Sequence, residues 1–467
     1  MPNCKNSFGS VEAELLEKAD TISNAAYVYR QMLPGILLKL SKIKDCRQCR
    51  KIKHKLTTLM AYGILFFVYQ INSRRQANRE MAKDIFFENL KTMFPELETL
   101  PHADTLARLL ENIKVSEIQE CLIELVKDLI RKKKFRNYMV NKGFLIAVDG
   151  TQSFYRDYQW DEKCLERTVG KDEKTQQFYV YILDSVIVLN NGITLPFISE
   201  FLKNEDYVKG VSKQDCERKA FQRMAKRLKS VFRKTPVTIV LDGLYACGPI
   251  ISICRKYGWD FMMVLKEDGL SELWNEALGL MVLETDNRLK VMWGDREQNY
   301  CWANDIEYEY EKDGRRKVIV HVVICYEVWE ESHIKSSKKR EGKETRYAWI
   351  SSKPLNEKNL FTRCTKIARY RWKIEINILV EKHQGYQLEH CFSYTWNAME
   401  GFHYLMKIGH FLNVMALNSE ILHQKVSELG IRGFIKYLKE ACSGSVIDNS
   451  RIEEAFYRYK QWRLIAA

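Results

Sequence analysis

Two aspartates, Asp149 and Asp242, stand in the same sequence context. Each directly follows an apolar run, residues 143–148 in one case and residues 237–241 in the other, and each directly precedes a glycine. A short apolar run that ends at an Asp-Gly pair predicts a buried strand. Carboxylates at the ends of neighbouring strands are held on rigid backbone and can bind a hard cation such as Mg²⁺. For either aspartate alone, the alternative is an ordinary Asp-Gly turn.

A third carboxylate, Glu375, lies four residues after Arg371 and seven residues before Lys382. At about 100° per residue, Glu375 and Lys382 fall within about 40° and 20° of Arg371 around a helix. All three side chains are therefore expected on one helical face. There Glu375 can complete a metal site, while Arg371 and Lys382 bind phosphate oxygens. The alternative is a surface ion pair between Arg371 and Glu375 beside a solvated lysine.

Other motifs of metal and nucleotide chemistry are incomplete or missing. Cys46, Cys49 and His54 resemble half of a zinc site, but no second ligand pair follows at zinc spacing, so we interpret them as structural residues. The sequence has no GxxxxGK[ST], no GxGxxG after a strand and no HExxH. We therefore expect no nucleotide cofactor.

The elements that must position these residues change character along the chain. Residues 1–140 show helical periodicity, residues 141–265 contain several apolar strands and a basic amphipathic helix at about 214–231, and residues 270–350 are β-like. The pattern is helical from residue 356 onwards. The most apolar segment, residues 56–71, is too short for a membrane span and is predicted to be a buried helix. A capped helix start is predicted at residues 101–105, with Asp104 as the cap.

The charge points to a polyanionic partner. The chain has 467 residues and a net charge of +14, from 74 Lys and Arg against 60 Asp and Glu. Nucleic acid is the first candidate, an anionic membrane surface is the second, and a merely basic globular protein is the alternative. Residues 1–20 lack the apolar segment of a secretory signal, so a cytoplasmic location with reduced cysteines is predicted.

Three segments together resemble the IS4-like DDE transposases, which are insertion-sequence transposases with a ribonuclease-H-like catalytic core. They are AVDGT at 147–151, IVLDGLY at 239–245, and residues 369–413, which contain RWKIE and HQGYQLEH. The resemblance covers about residues 50–415. It implies an α/β fold with a helical DNA-binding region at 1–140, a catalytic domain at 141–415 and a helical tail at 416–467. Residues of about 270–350 would form a β-rich insertion in the catalytic domain.

The resemblance also implies the roles of the site residues. Asp149, Asp242 and Glu375 would be the catalytic triad and the ligands of two Mg²⁺ or Mn²⁺ ions, and Arg371 and Lys382 would bind DNA phosphates. The family's signature tyrosine falls on Ala368 here, and Tyr370 is out of register. An insertion tryptophan handles a flipped base in relatives, and the candidates are Trp293, Trp302 and Trp329.

The implied function is metal-dependent cleavage at transposon ends and strand transfer of the 3′-OH into target DNA. The implied partners are double-stranded DNA, as ends and as target, and a second subunit in the DNA-bound complex, in a bacterial cytoplasm and without a membrane. Two alternatives remain. One is a domesticated or defective relative that acts as a DNA nuclease, and the other is a DNA-binding protein with structural carboxylates that does not transpose.

Overall fold

The computed structural model describes residues 9–170, 175–204, 213–310, 316–332, 340–444 and 447–465. In this part, the chain is a mixed α/β structure built on one sheet of ten strands, and no helix is long and apolar enough to cross a membrane. The strands are β1 Phe144–Arg156, β2 Leu165–Val169, β3 Thr175–Val188, β4 Thr194–Phe201, β5 Val237–Leu241, β6 Asp260–Val264, β7 Arg288–Trp293, β8 Arg296–Tyr310, β9 Arg316–Ser332 and β10 Arg340–Ser351.

Helices precede, interrupt and follow the strands. Their bounds are α1 Val11–Arg30, α2 Leu33–Leu40, α3 Leu56–Val68, α4 Arg74–Glu80, α5 Asp84–Met93, α6 Ala103–Asn112, α7 Ser116–Arg131, α8 Glu217–Phe232, α9 Gly248–Tyr257, α10 Ser271–Leu283, α11 Glu357–Phe361, α12 Trp372–His383, α13 Trp396–Leu417, α14 His423–Gly444 and α15 Asn449–Arg458. Between α11 and α12 the chain passes through a π-helical segment, Thr362–Ile367, and a 3₁₀ turn, Ala368–Arg371.

The half of the sheet that carries both aspartates is built around β1. This strand pairs antiparallel with β3, and β3 pairs antiparallel with β4. On its other side β1 pairs parallel with β5, and β5 pairs parallel with β6. Parallel neighbours need crossover connections, and α8 and α9 supply them. The backbone around β1 is buried, which accounts for its continuous apolar sequence.

The segment from about residue 270 is only partly β-structure. It begins with α10, so the prediction of β-structure from the start of this region was wrong for Ser271–Leu283. Strands β7, β8 and β9 then form antiparallel pairs, and β10 returns between β9 and β6. Because β10 pairs antiparallel with β6, the β7–β10 excursion, as we call these four strands, continues the same sheet. The strand order is β2-β3-β1-β5-β6-β10-β9-β8-β7, with β4 beside β3.

Helices from both parts of the chain outside the sheet pack against each other. The apolar segment predicted to be a buried helix is α3, and twelve of its residues are buried, which confirms that prediction. It lies against α13, where Gly409 permits close approach because a Cβ there would stand 2.7 Å from the Cβ of Phe67. In addition α1 packs against α15, and α5 against α14. The boundaries proposed at 140 and 415 stay predictions, and contacts between helices cross both of them.

Two local predictions about helices change in the structure. The helix predicted to start at residues 101–105 is α6, but its cap is His102, whose side chain accepts the backbone N–H of Asp104. The basic amphipathic helix is α8, and two of its cations are engaged within the chain. Arg223 pairs with Asp215, and Arg227 pairs with Glu200. The charge of this helix is therefore partly neutralised internally.

Candidate active site

Asp149 and Asp242 occupy equivalent positions on neighbouring parallel strands. The register of β1 and β5 pairs Ala147 with Val240, so two residues further along each strand come Asp149 and Asp242. The prediction that Asp149 ends its strand was wrong, because β1 continues to Arg156 while β5 ends at Leu241. Asp149 thus projects from the middle of a strand at the level where its parallel neighbour stops. This is the edge at which the two carboxylates meet.

Local hydrogen bonds orient both aspartates. The Oδ1 atom of Asp149 accepts the N–H of Gly150 at 2.9 Å. The Oδ1 atom of Asp242 accepts the N–H of Leu244 at 2.9 Å and caps the 3₁₀ turn Gly243–Tyr245. Asp242 therefore does make the turn contact that was the alternative reading for an Asp-Gly pair. The same contact fixes its carboxylate beside Asp149.

Arg371 joins the third carboxylate to this pair. Its Nη1 atom lies 2.7 Å from Oε1 of Glu375 and 3.9 Å from Oδ2 of Asp149. Only 9% of the Arg371 side chain is exposed, so the contact is not the solvated surface pair of the alternative reading. The structure thus brings Asp149, Asp242, Arg371 and Glu375 together at one edge of the sheet.

The electrostatics of this edge are those of crowded carboxylates. The pKa of Asp149 is raised to about 6, chiefly by burial and also by the charges of Asp242 and Glu217. The N–H of Gly150 and the guanidinium of Arg371 act in the opposite direction. A carboxyl group with these neighbours is poised to gain from a bound cation.

Two positions of the helix signature, Lys382 and the expected tyrosine, do not contact the carboxylates described above. Lys382 lies on the predicted helix, but its Nζ atom pairs with Oε1 of Glu389 at 3.0 Å. Ala368 is buried, and the hydroxyl of Tyr370 donates to the carbonyl of Asn190 at 3.1 Å. Tyr370 therefore has a structural contact and takes no place beside the carboxylates.

The sequence reading missed a fourth carboxylate, Glu217, the first residue of α8. Its Oε1 accepts the hydroxyl of Tyr181 at 2.9 Å, and its Oε2 accepts the hydroxyl of Tyr245. A Cβ on Gly150 would stand 2.6 Å from Cδ of Glu217, so the carboxylate lies directly against β1. A first-turn glutamate is an ordinary feature of helices, and no local signal marks this one.

The three tryptophans in the excursion lie in different environments. Trp302 is 3% exposed and belongs to the core, while Trp329 stacks under Arg296. Trp293 is 39% exposed where β7 turns into β8, and the guanidinium of Arg369 lies 4.8 Å above its ring. Among the three, Trp293 is the one presented on the surface and also connected to the segment that leads into Arg371.

The donor chemistry of the site suits a hard cation, because all of its acidic ligand candidates supply oxygen. Two of these carboxylates, Asp149 and Glu375, are bridged by the guanidinium of Arg371. Within the described ranges, no group of three or more His, Cys, Asp or Glu side chains is arranged to hold a metal ion. Cys46 and Cys49 are exposed free thiols.

Comparison with known protein families links one segment of the chain to transposases. Residues 37–126 match the family model described as DDE_Tnp_1-associated, which is found in DDE transposase families. The matched segment runs from within α2 to within α7 and therefore includes α3, the helix that packs on α13. No curated protein matches the chain. The match links the chain to DDE transposases through its helical part, outside the carboxylate site.

Proposed function

We propose that this protein is a DDE transposase of the IS4-like type that cleaves DNA at transposon ends and transfers the 3′-OH into target DNA. The observation that carries the proposal is that Arg371 lies between Asp149 and Glu375, while the strand register places Asp242 level with Asp149. The transposase-associated match at 37–126 supports it independently, because that segment contains none of the three acids.

We further propose that the sheet and its helices form a ribonuclease-H-like core. Three antiparallel strands, β4, β3 and β1, are followed by two strands, β5 and β6, that lie parallel to β1. Between them the chain crosses over through α8 and α9. An α/β core of this kind, extended by the β7–β10 excursion, agrees with the architecture that the resemblance implies.

In the proposed reaction, Asp149, Asp242 and Glu375 would hold two divalent cations, which would supply activation of the attacking oxygen and charge stabilisation at the phosphate. The rigid strands hold the two aspartates before DNA arrives, so little reorganisation is needed at the moment of reaction. Arg371 offsets the negative charge of Asp149 and Glu375 and would bind a phosphate oxygen of the DNA. Lys382, on α12, would be a second residue that contacts a DNA phosphate.

Contacts with DNA outside the carboxylates would come from exposed cations and from Trp293. Lys219 and Lys226 are exposed on α8, next to the helix start that holds Glu217. Such contacts track the phosphate backbone without reading sequence. Trp293 offers an exposed aromatic face for an unstacked base. Two subunits in the DNA-bound complex would bring two ends together for transfer.

The test is cleavage of a supercoiled plasmid that carries the DNA flanking the coding region, with Mg²⁺ or Mn²⁺ added. We expect nicking at the element ends and joined products with target DNA. Asp149→Asn, Asp242→Asn and Glu375→Gln should each lower the rate by at least about 100-fold, since each removes charge stabilisation at the reacting phosphate. Asp286→Asn, at an exposed turn before β7, is the matched control and should leave the rate unchanged.

The outcomes separate the candidate functions. Nicking without joined product would assign a nuclease on the same core. Salt-dependent DNA binding without cleavage under either cation would assign a DNA-binding protein with structural carboxylates. Full cleavage by Asp149→Asn would refute the proposed site.

A further inference from the structure

A cluster of charged side chains is buried behind the candidate site. Lys407 on α13 is 3% exposed, and its Nζ atom lies 2.8 Å from Oδ2 of Asp184 and 2.6 Å from Oε2 of Glu381. Asp184 is 1% exposed and Glu381 is 0% exposed. Ions so fully removed from water are costly, and structures retain them only where partners satisfy them.

Each acid of this cluster is tied to a proposed catalytic carboxylate, one across a strand pair and the other along a helix. Asp184 on β3 is the cross-strand partner of Asp149 on β1. Glu381 lies on α12, six residues after Glu375. Lys407 therefore connects, through two short ion pairs, the strand pair that holds Asp149 to the helix that holds Glu375.

Further contacts hold Glu381 in place. His410 contacts Oε1 of Glu381 at 2.8 Å, and Asn377 donates to the same atom at 3.2 Å. Despite burial, Lys407 and His410 lower the pKa of Glu381 to about 2. The two acids likewise hold the pKa of Lys407 above its usual value, although burial opposes this. With the lysine and Glu381 both charged, the link between β3 and α12 is a set of directed contacts.

An apolar cluster of similar volume would stabilise these elements at least as well as buried ions, so stability alone does not account for the charges. Directed ion pairs differ from apolar packing because they fix a distance. Along β1 the catalytic side chain is set by the sheet, but α12 follows a π-helical segment and a 3₁₀ turn and needs another constraint. The Asp184–Lys407–Glu381 cluster supplies one.

We propose that Lys407, Asp184 and Glu381 are positioning residues that set the separation between the carboxylates of Asp149 and Glu375 and thereby the cation affinity and turnover of the site. This inference rests on the proposed function, since it assumes that those two carboxylates share cations. It assigns a role to residues that touch neither substrate nor cation.

The test separates positioning from stability by a variant that lacks the ion pairs but keeps the packing. The triple variant Asp184→Asn, Glu381→Gln, Lys407→Met should fold, because the lysine and both carboxylates lose their charges together. We measure Mn²⁺ binding by titration calorimetry without DNA, and then kcat and DNA affinity on the flanking-DNA plasmid. We expect roughly 10- to 100-fold weaker Mn²⁺ binding and a kcat lowered by about the same factor, with DNA affinity unchanged. Lys127→Met, which removes a partly exposed pair with Glu124, is the control.

A folded triple variant with wild-type Mn²⁺ affinity and kcat would overturn the inference. If the triple variant does not fold, Glu381→Asp decides the question, because it retains all charges and shortens one arm of the link by a methylene. Weakened Mn²⁺ binding in Glu381→Asp supports positioning, and unchanged binding overturns it. Absence of Mn²⁺ binding and cleavage in the wild-type protein would instead refute the proposed function itself.

Discussion

Gly150 is the position at which a single methyl group should most directly disturb the candidate site. The residue follows Asp149 on β1, and a Cβ built there meets Cδ of Glu217 and Cε1 of Tyr181, both at 2.6 Å. Ordinary van der Waals contact begins at 3.4 Å. Gly150→Ala must therefore displace these two side chains by about 0.8 Å, and the displaced Glu217 carboxylate is one of the charges that raise the pKa of Asp149.

The cost can be bounded from these contacts. The end of Glu217 can swing, but the Tyr181 ring is held by its neighbours on the sheet, so an overpacking penalty of about 1–3 kcal/mol is expected. Displacing Glu217 also disturbs the hydrogen bond from Tyr245, which adds about 1 kcal/mol. The total loss in the free energy of unfolding is then about 2–4 kcal/mol. Because catalytic geometry tolerates little displacement, cleavage should slow by at least about tenfold.

Urea unfolding and plasmid cleavage measure the two effects. The matched control is Gly279→Ala in α10, where nothing lies within 4 Å of the added Cβ. There alanine should raise the free energy of unfolding by about 0.5–1 kcal/mol, since glycine disfavours helix interiors. If Gly150→Ala is as stable and as active as the wild-type protein, Glu217 does not pack against β1 and the reasoning fails.

Three further changes probe the site and its surroundings. Arg371→Gln should tighten Mn²⁺ binding without DNA by about tenfold, because a charged hydrogen bond of about 1.5–3 kcal/mol no longer competes with the cation; calorimetry with unchanged affinity would contradict this. Burial lowers the pKa of His403 to about 3. Between about pH 6.5 and pH 3, the unfolded chain therefore binds a proton that the folded chain does not bind. The free energy of unfolding should decrease as the pH is lowered through this range, by up to about 1.4 kcal/mol per pH unit. His403→Gln should flatten that slope in urea titrations, and an identical slope would rule out this origin. Trp293→Ala should weaken binding of the cleaved end by about 1–3 kcal/mol without loss of stability, whereas Trp302→Ala should lose about 3–5 kcal/mol of stability; equal effects in both assays would remove the distinction between them.

The part of the site that rests on local pattern could be predicted from the sequence. Apolar runs that end at Asp-Gly marked two buried strands, and their parallel pairing brings Asp149 and Asp242 to one level. Helical spacing predicted that Arg371 and Glu375 meet, and their atoms lie 2.7 Å apart. In each case the decisive contact is between neighbours in one element or between adjacent strands, where periodicity alone fixes which side chains face each other.

The rest depends on contacts between residues far apart in the chain. Glu217 reaches β1 only because α8 crosses over the sheet, and its sequence context is that of any first-turn glutamate. Lys407 and Asp184 were visible as single charged residues inside apolar segments, which is itself informative. No pattern within either segment identifies the other as its partner, because 223 residues separate them.

For a protein that acts on DNA as proposed, the continuous sheet from β1 to β7 would hold the Trp293 hairpin at a fixed distance from the carboxylates. Since β10 is joined to β6 by backbone hydrogen bonds, the hairpin that carries Trp293 cannot drift relative to the carboxylates without breaking the sheet. A strand advances about 3.3 Å per residue, close to the 3.4 Å rise of one base pair. Lengthening the β7–β8 hairpin by two residues on each strand would carry its tip about 7 Å further and keep every side chain on its own face. The length of the hairpin strands would thus set the distance between a recognised base and the scissile phosphate. That distance would change in steps of about two base pairs.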